Sequence, residues 1–168
     1  QIAKKGHQAH FTFTDIIAES PSMQRCIHTA QKVARIDKTT LVVGESGCGK
    51  EMLVQAIHSA SKRSKYPFVS INCAAIPANL LESELFGYAE GAFTGSKRGG
   101  KQGLFELANH GTLFLDEVGE ISLEAQSKLL RAIETREIMP VGSDSITTVD
   151  VRIIAATNKQ LKTLVQEG

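Results

Sequence analysis

Three cysteines in 168 residues, at Cys26, Cys48 and Cys73, are too few and too widely spaced for a disulfide framework or a zinc site. They fit a reducing compartment, and the expected location is the cytoplasm. No excess of charge of one sign is present: the formal net charge is +1, so no bulk field calls for DNA or a membrane as partner. No apolar run approaches the length of a membrane helix, and no signal peptide opens the chain. Internal repeats and low-complexity tracts are lacking too. Met is missing at position 1, and the expectation is a chain cut from something longer.

What is present is ordinary for a globular domain: 42% apolar and 22% charged residues. A chain of this length buries roughly 70% of its extended surface as one domain. Residues 1–14 read as a linker, polar and basic, with alternating Phe11 and Phe13; His7 and His10 read as tail residues. The short basic stretch from Lys62 to Lys65 reads as a solvated helix end.

From Ser20 onward helices and strands alternate. Ser20 can cap a helix that Pro21 opens, with Met23, Ile27, Ala30 and Val33 on its apolar face. Strands are predicted at Thr39–Val43, Phe68–Asn72, Thr112–Asp116 and Val151–Ala156. Helices are predicted from about Gly49 to Ser61, Leu80 to Phe86, Ser122 to Glu134 and from about Lys159, with Leu104–Ala108 a helical turn or two. On the helix after the third strand, Ala125, Leu129 and Ile133 form one stripe. This alternation implies parallel crossovers and a sheet covered on both faces, an α/β fold.

Gly44-Glu45-Ser46-Gly47-Cys48-Gly49-Lys50 has the phosphate-loop spacing, after a predicted strand and before a predicted helix. Glycines let successive backbone N–H groups curl round an anion, and the helix N-terminus adds partial positive charge. Lys50 supplies a full charge for the β- and γ-phosphates. Where the general pattern has Ser or Thr as a magnesium ligand, this chain has Glu51, which can bind metal directly, bind it through water, or face solvent. Leu113-Phe114-Leu115-Asp116-Glu117 is a buried-strand run ending in two carboxylates. In open α/β sheets the ligand lies beyond the C-terminal strand ends. Asp116 is therefore the candidate magnesium ligand, and Glu117 the candidate base for the attacking water. Asn72 and Asn158 end two other strands; Asn158 can bond the γ-phosphate or the water. Asn158-Lys159-Gln160-Leu161 lacks the acid of a guanine signature, which favours ATP over GTP.

Six glycines between Gly87 and Gly103 predict a mobile segment with little packing of its own. Phe93 within it reads as an exposed anchor for a partner. Here the sequence resembles a known family. Gly91-Ala92-Phe93-Thr94-Gly95-Ser96, preceded by Glu84-Leu85-Phe86-Gly87, is similar to the GAFTGA loop of the NtrC-type, sigma-54-dependent activators. The phosphate loop with Glu51, Ile71-Asn72-Cys73-Ala74, Gly111–Glu117 and Ile154–Asn158 match as well. The resemblance covers about residues 13–168, with two departures: Ser96 stands where the loop has Ala, and Ala18 where the family has Gly.

The resemblance implies a P-loop NTPase of the AAA+ class, a three-layer sandwich with strand order 5-1-4-3-2, its fifth strand and helical lid lying beyond Gly168. Residues 15–168 would be the ATPase core and residues 1–14 a linker from an upstream sensory domain. It further implies that Asn72 restrains Glu117, that Asn158 is a sensor, that Phe93 and Thr94 touch the sigma factor, and that Gly142–Thr148 form a second loop moving with the first. ATP and Mg2+ would be the cofactors. The partners would be sigma-54 RNA polymerase and further copies in a hexameric ring, with DNA reached only through another domain. The alternatives are another AAA+ remodelling ATPase, which would not need the Phe93-Thr94 loop, and a nucleotide-gated regulator without hydrolysis, which would not need Glu117.

Overall fold

A computed structural model describes residues 6–45 and 49–158. A 3-10 turn at Phe13–Asp15 leads to α1 (Pro21–Ala34), β1 (Thr40–Val43), α2 (Lys50–Ser59), β2 (Phe68–Asn72), α3 (Ala78–Phe86) and α4 (Leu104–Leu107). Then follow β3 (Thr112–Asp116), a 3-10 turn at Val118–Glu120, α5 (Leu123–Thr135), β4 (Glu137–Ile138), β5 (Thr147–Thr148) and β6 (Arg152–Thr157). Ser46, Gly47 and Cys48, residues 1–5 and the helix expected from Lys159 lie outside the described residues.

β1, β6, β3 and β2 form one parallel sheet in that order. Counting only the strands of this sheet, the order is 1-4-3-2, the part of the expected order that these residues can form. The chain leaves β1 at one edge and returns as β2 at the other, and α2 makes that crossover. β3 lies inside the sheet, with Leu113, Phe114 and Leu115 all but inaccessible, because both of its faces are covered. Alternate residues feed two cores. Phe68, Phe114, Ile154 and Ala156 meet Ala30 and Ala34 of α1 and Val54 and Ile57 of α2. Val69, Ile71, Leu113, Leu115 and Ile153 meet Leu81, Leu85 and Phe86 of α3, Phe105 of α4, and Ala125 and Leu129 of α5. The result is the expected three-layer P-loop NTPase sandwich.

Local chemistry places most elements where the periodicity puts them. Ser20 Oγ accepts the Met23 N–H at 3.2 Å, and Pro21 occupies the first turn of α1. On α5, Ser122 caps the start, but the buried stripe is Ala125, Leu129 and Ala132, and Ile133 is exposed. A helix turns about 100° per residue, so after Leu129 the inward position falls on the third residue rather than the fourth.

Two other expectations change. Residues 6–14 run along the domain: the Phe68 N–H donates to His7 O, the His10 N–H to Gln55 Oε1 and Ser59 Oγ–H to Phe11 O, while Phe13 packs on the α1–α2 core. The basic stretch is not simply a solvated helix end either. Lys62 and Lys65 are exposed, but Arg63 is buried beneath the N-terminal ends of the strands. Its guanidinium donates to Asp37 at 2.8 and 2.7 Å, to Asp150 Oδ1 at 2.8 Å, and to the carbonyl oxygens of His110, Asp150 and Gly111. It holds both carboxyl groups below their usual range. Beside it Arg152, also buried, donates to the carbonyls of Val33, Ala34 and Lys38, closing the C-terminus of α1.

His58 is a buried histidine with both nitrogens engaged. Its Nδ1 lies 2.7 Å from Thr112 Oγ1 and its Nε2 3.1 Å from Tyr66 O. Burial pushes its pKa from 6.5 down to about 4.

Both features generate tests. Arg63→Ala is expected to destabilise the fold by about 3 kcal/mol, since it strands carbonyls and two carboxylates; Lys62→Ala should cost less than about 0.5 kcal/mol. Urea unfolding of the two variants separates a hub from a solvated run. For His58 the unfolded chain takes up a proton below pH 6.5 that the folded chain refuses until about pH 4. The stability it contributes is whole above the upper value and falls as pH drops through that window, by about 3 kcal/mol in all. Unfolding midpoints of the wild type and His58→Gln between pH 7.5 and pH 4 should converge in acid.

Candidate active site and partner loop

Strand register brings the candidate residues to one rim of the sheet. Asn72 pairs with Asp116 at the ends of β2 and β3, and Val43 pairs with Thr157 at the ends of β1 and β6. The Gly44 N–H then donates to Thr157 O at 3.2 Å, so the phosphate loop leaves β1 pressed against the β6 end that Asn158 follows. Gly49 sits at φ 81° with open space where a Cβ would be, so its requirement is backbone direction and not room. Lys50, the first residue of α2, is buried, and its Nζ donates to Gly44 O at 2.8 Å. The ammonium thus reaches back to the residue at which the chain leaves β1. Glu51 is exposed and lines a cavity of about 290 Å3 with His7, His10, Gln55 and Ser70.

Asp116 and Glu117 are half-buried at the centre of the rim. Asp116 Oδ1 accepts the N–H of Glu117 at 2.9 Å. Glu117 itself has φ 53°, a left-handed backbone that costs a side-chain-bearing residue about 1 kcal/mol or more. The strand has to turn sharply to bring both carboxylates to the rim, and the strain sits on the residue proposed as base. One carboxylate at a strand end is a donor set that fits magnesium, which takes one or two carboxylates and leaves the rest of its shell to phosphates and water. Among the described residues no group of three His, Cys, Asp or Glu forms a metal cage.

Asn72 stands on the strand beside Asp116, as expected. Its Oδ1, however, accepts the Ala74 N–H at 2.9 Å, so the side-chain oxygen caps its own turn. The next residue, Cys73, is buried with its N–H on Asp116 O at 2.9 Å. Burial, then the charges of Asp116 and Glu117, push its thiol up to about 11, which keeps it protonated and inert.

The glycine-rich segment is not uniformly mobile. Its stem is packed: a Cβ on Gly87 would lie 2.4 Å from Lys101 O, and one on Gly103 would lie 2.3 Å from Gly87 N. Glycine there permits contact between two backbones. Tyr88 and Lys101 exchange backbone bonds at 3.0 and 2.9 Å. Beyond the stem, Gly91, Gly95 and Gly99 take positive φ in open space. At the tip Phe93 is 41% exposed, yet its ring meets Tyr88 edge-on at 4.9 Å. Ser96 Oγ accepts the Gly91 N–H at 3.2 Å, and Tyr88 Oη accepts the Lys97 N–H at 3.3 Å.

Sequence reasoning missed Tyr88 and Val141. Val141 N–H donates to Gly87 O and its carbonyl accepts the Ala89 N–H, both at 2.9 Å. It lies in the connection between β4 and β5, a two-residue antiparallel pair, directly before the expected second loop Gly142–Thr148, so the residue that leads into the second loop is bonded to the stem of the first. The only available signal was Tyr88 itself, an aromatic directly after the Gly87 that ends α3.

Comparison with known proteins identifies the family. A protein described as a signal-transduction and transcriptional-control protein of Clostridium beijerinckii is 53% identical over 160 residues, covering 95% of this chain and 25% of its own length. The regulatory protein AtoC of Escherichia coli K12 is 49% identical over 165 residues, covering 96% of this chain and 36% of its own. The chain thus spans about a third or less of these relatives. NtrX from Brucella abortus, crystallised with ADP, superposes with a TM-score of 0.84 at 35% identity, over 93% of this chain and 33% of that one. The sequence model of the Sigma-54 interaction domain matches residues 16–168, and with that match the chain belongs to the sigma-54 interaction domain family.

Proposed function

We propose that this chain is the ATP-hydrolysing core of a sigma-54-dependent transcription activator, turning hydrolysis into movement of the Phe93-Thr94 loop against sigma-54 RNA polymerase. The observation that carries this reading is the convergence of Lys50, Asp116 and Glu117 on one rim, in a domain whose loop stem is bonded to the β4–β5 turn. In this reading Gly44, Glu45, Ser46, Gly47, Cys48 and Gly49 wrap the phosphates and Lys50 moves from Gly44 O to the β- and γ-oxygens. Asp116 would hold the magnesium ion that arrives with ATP, and that ion supplies charge neutralisation on the phosphates. Glu117 takes the proton of the attacking water. Asn72 and Asn158 flank Asp116 and Glu117 and report whether the γ-phosphate is in place. Glu51, exposed in the first turn of α2 directly after Lys50, would meet the ion directly or through water.

ATP lies between subunits of a cytoplasmic hexameric ring. As the family resemblance implies, the arginine that completes the site comes from a neighbouring copy, and a lone chain turns over slowly; Arg63 and Arg152 are held at the opposite rim. Residues 15–168 are the ATPase core, residues 1–14 lead in from a sensory domain, and DNA is reached through a separate domain. Phe93 and Thr94 make the sigma contact.

Glu117→Gln is expected to keep ATP binding and lower single-turnover hydrolysis by about a hundredfold or more, whereas Lys50→Ala should lose ATP binding itself. Fluorescent-nucleotide titration beside rapid-quench kinetics distinguishes them; undiminished hydrolysis by the Gln variant would make Glu117 structural. Thr94→Ala or Phe93→Ala, in the full-length protein, should spare ATPase and ring formation but abolish promoter opening and capture of sigma-54 in the presence of ADP and aluminium fluoride. Loss of ATPase together with capture would place the loop in the active site. Retention of both would favour a different remodelling ATPase.

A further inference from the structure

Glu117 is joined to α5 by a short run of hydrogen bonds. The Glu120 N–H donates to Glu117 O at 3.1 Å and the Ile121 N–H to Val118 O at 3.3 Å. Ser122 Oγ then caps the Ala125 N–H at 3.3 Å, and Gln126 Nε2 reaches back to Ile121 O at 2.9 Å. The left-handed backbone at Glu117 is thus linked through the 3-10 turn to the start of α5. Midway along α5, Lys128 Nζ is ion-paired with Glu82 of α3 and stands 5.9 Å from the centroid of the Phe86 ring. Phe86 is the last residue of α3, and the next residue, Gly87, opens the loop stem. Two residues beyond Glu82, on a different side of α3, Glu84 pairs with Lys101 of the returning loop arm at 2.8 Å. One acid of α3 thus faces the helix that leaves the ATP site, and the other faces the loop.

We propose that Lys128 is a positioning residue that couples the nucleotide-dependent setting of Glu117 to the Gly87–Gly103 loop, α5 acting as the lever and the Lys128–Glu82 pair as its grip on α3. It touches neither nucleotide nor partner. This rests on the reading of that loop as driven by ATP. The pair is partly exposed, with side-chain exposures of 38% and 21%. Exposed pairs add little to stability, so breaking this one should uncouple the loop and leave the fold standing. The β4–β5 turn, bonded to the stem through Val141, steadies the stem from the other side.

The test uses the full-length protein with Lys128→Glu, Glu82→Lys, their combination and Lys128→Arg. Hydrogen exchange of amides 88–102 is measured without nucleotide and with ADP and aluminium fluoride, beside ATPase rates and sigma-54 capture. Each charge reversal is expected to keep ATPase within about twofold of wild type and to remove most of the nucleotide-dependent change in loop exchange. The double reversal should restore at least about half of it, and Lys128→Arg should retain it. A wild-type nucleotide response in the single variants, failure of the double to recover, or parallel loss of ATPase would each overturn the proposal, as would a wild-type loop that ignores nucleotide. If the wild-type loop responds and the reversals abolish that response, but no form captures sigma-54, the coupling stands and the sigma-54 reading falls.

Discussion

Everything at the candidate site depends on the register of β3 between β2 and β6. β3 is buried on both faces and bonded on both edges, so its end cannot shift by a residue without turning core side chains outward. That register sets Asp116 beside Asn72 on one flank and the β6 end on the other. It also forces the sharp turn that leaves Glu117 in a strained backbone. At the opposite rim Arg63 and Arg152 tie α1, the segment before β2 and the start of β6 into one block. The candidate site therefore stands over a fixed base.

The parts that read clearly from sequence are those whose physics is local. Thr112–Asp116 is legible as a strand because a strand buried on both faces is apolar throughout. Ser20-Pro21 announces its helix because capping acts within one turn, and the phosphate loop announces itself because anion binding needs glycines at fixed spacing. Three site positions lie in the undescribed stretch Ser46–Cys48, so the cradle is legible in sequence and only its two flanks are seen in structure.

The illegible parts depend on distant partners. Lys62–Lys65 looks like any charged helix end, and nothing nearby says that Arg63 will meet Asp37 and Asp150, 26 and 87 residues away. β4 and β5 have two residues each, too few to show a period. The glycines of the loop look alike in sequence but act in two ways. Gly87 and Gly103 allow backbones to touch, while Gly91 and Gly95 allow them to turn. Only the three-dimensional path distinguishes these uses.

The closed tip of the loop has a consequence for how a partner meets it. The tip is held by the Gly91–Ser96 bond, the Lys97–Tyr88 bond and one edge-on aromatic contact, all at the surface. Together these amount to roughly 2 kcal/mol, so opening the tip costs little beside unfolding the packed stem. The hydroxyl of Ser96 supplies one of these bonds, so a residue without it would leave the tip held by the two Tyr88 contacts alone.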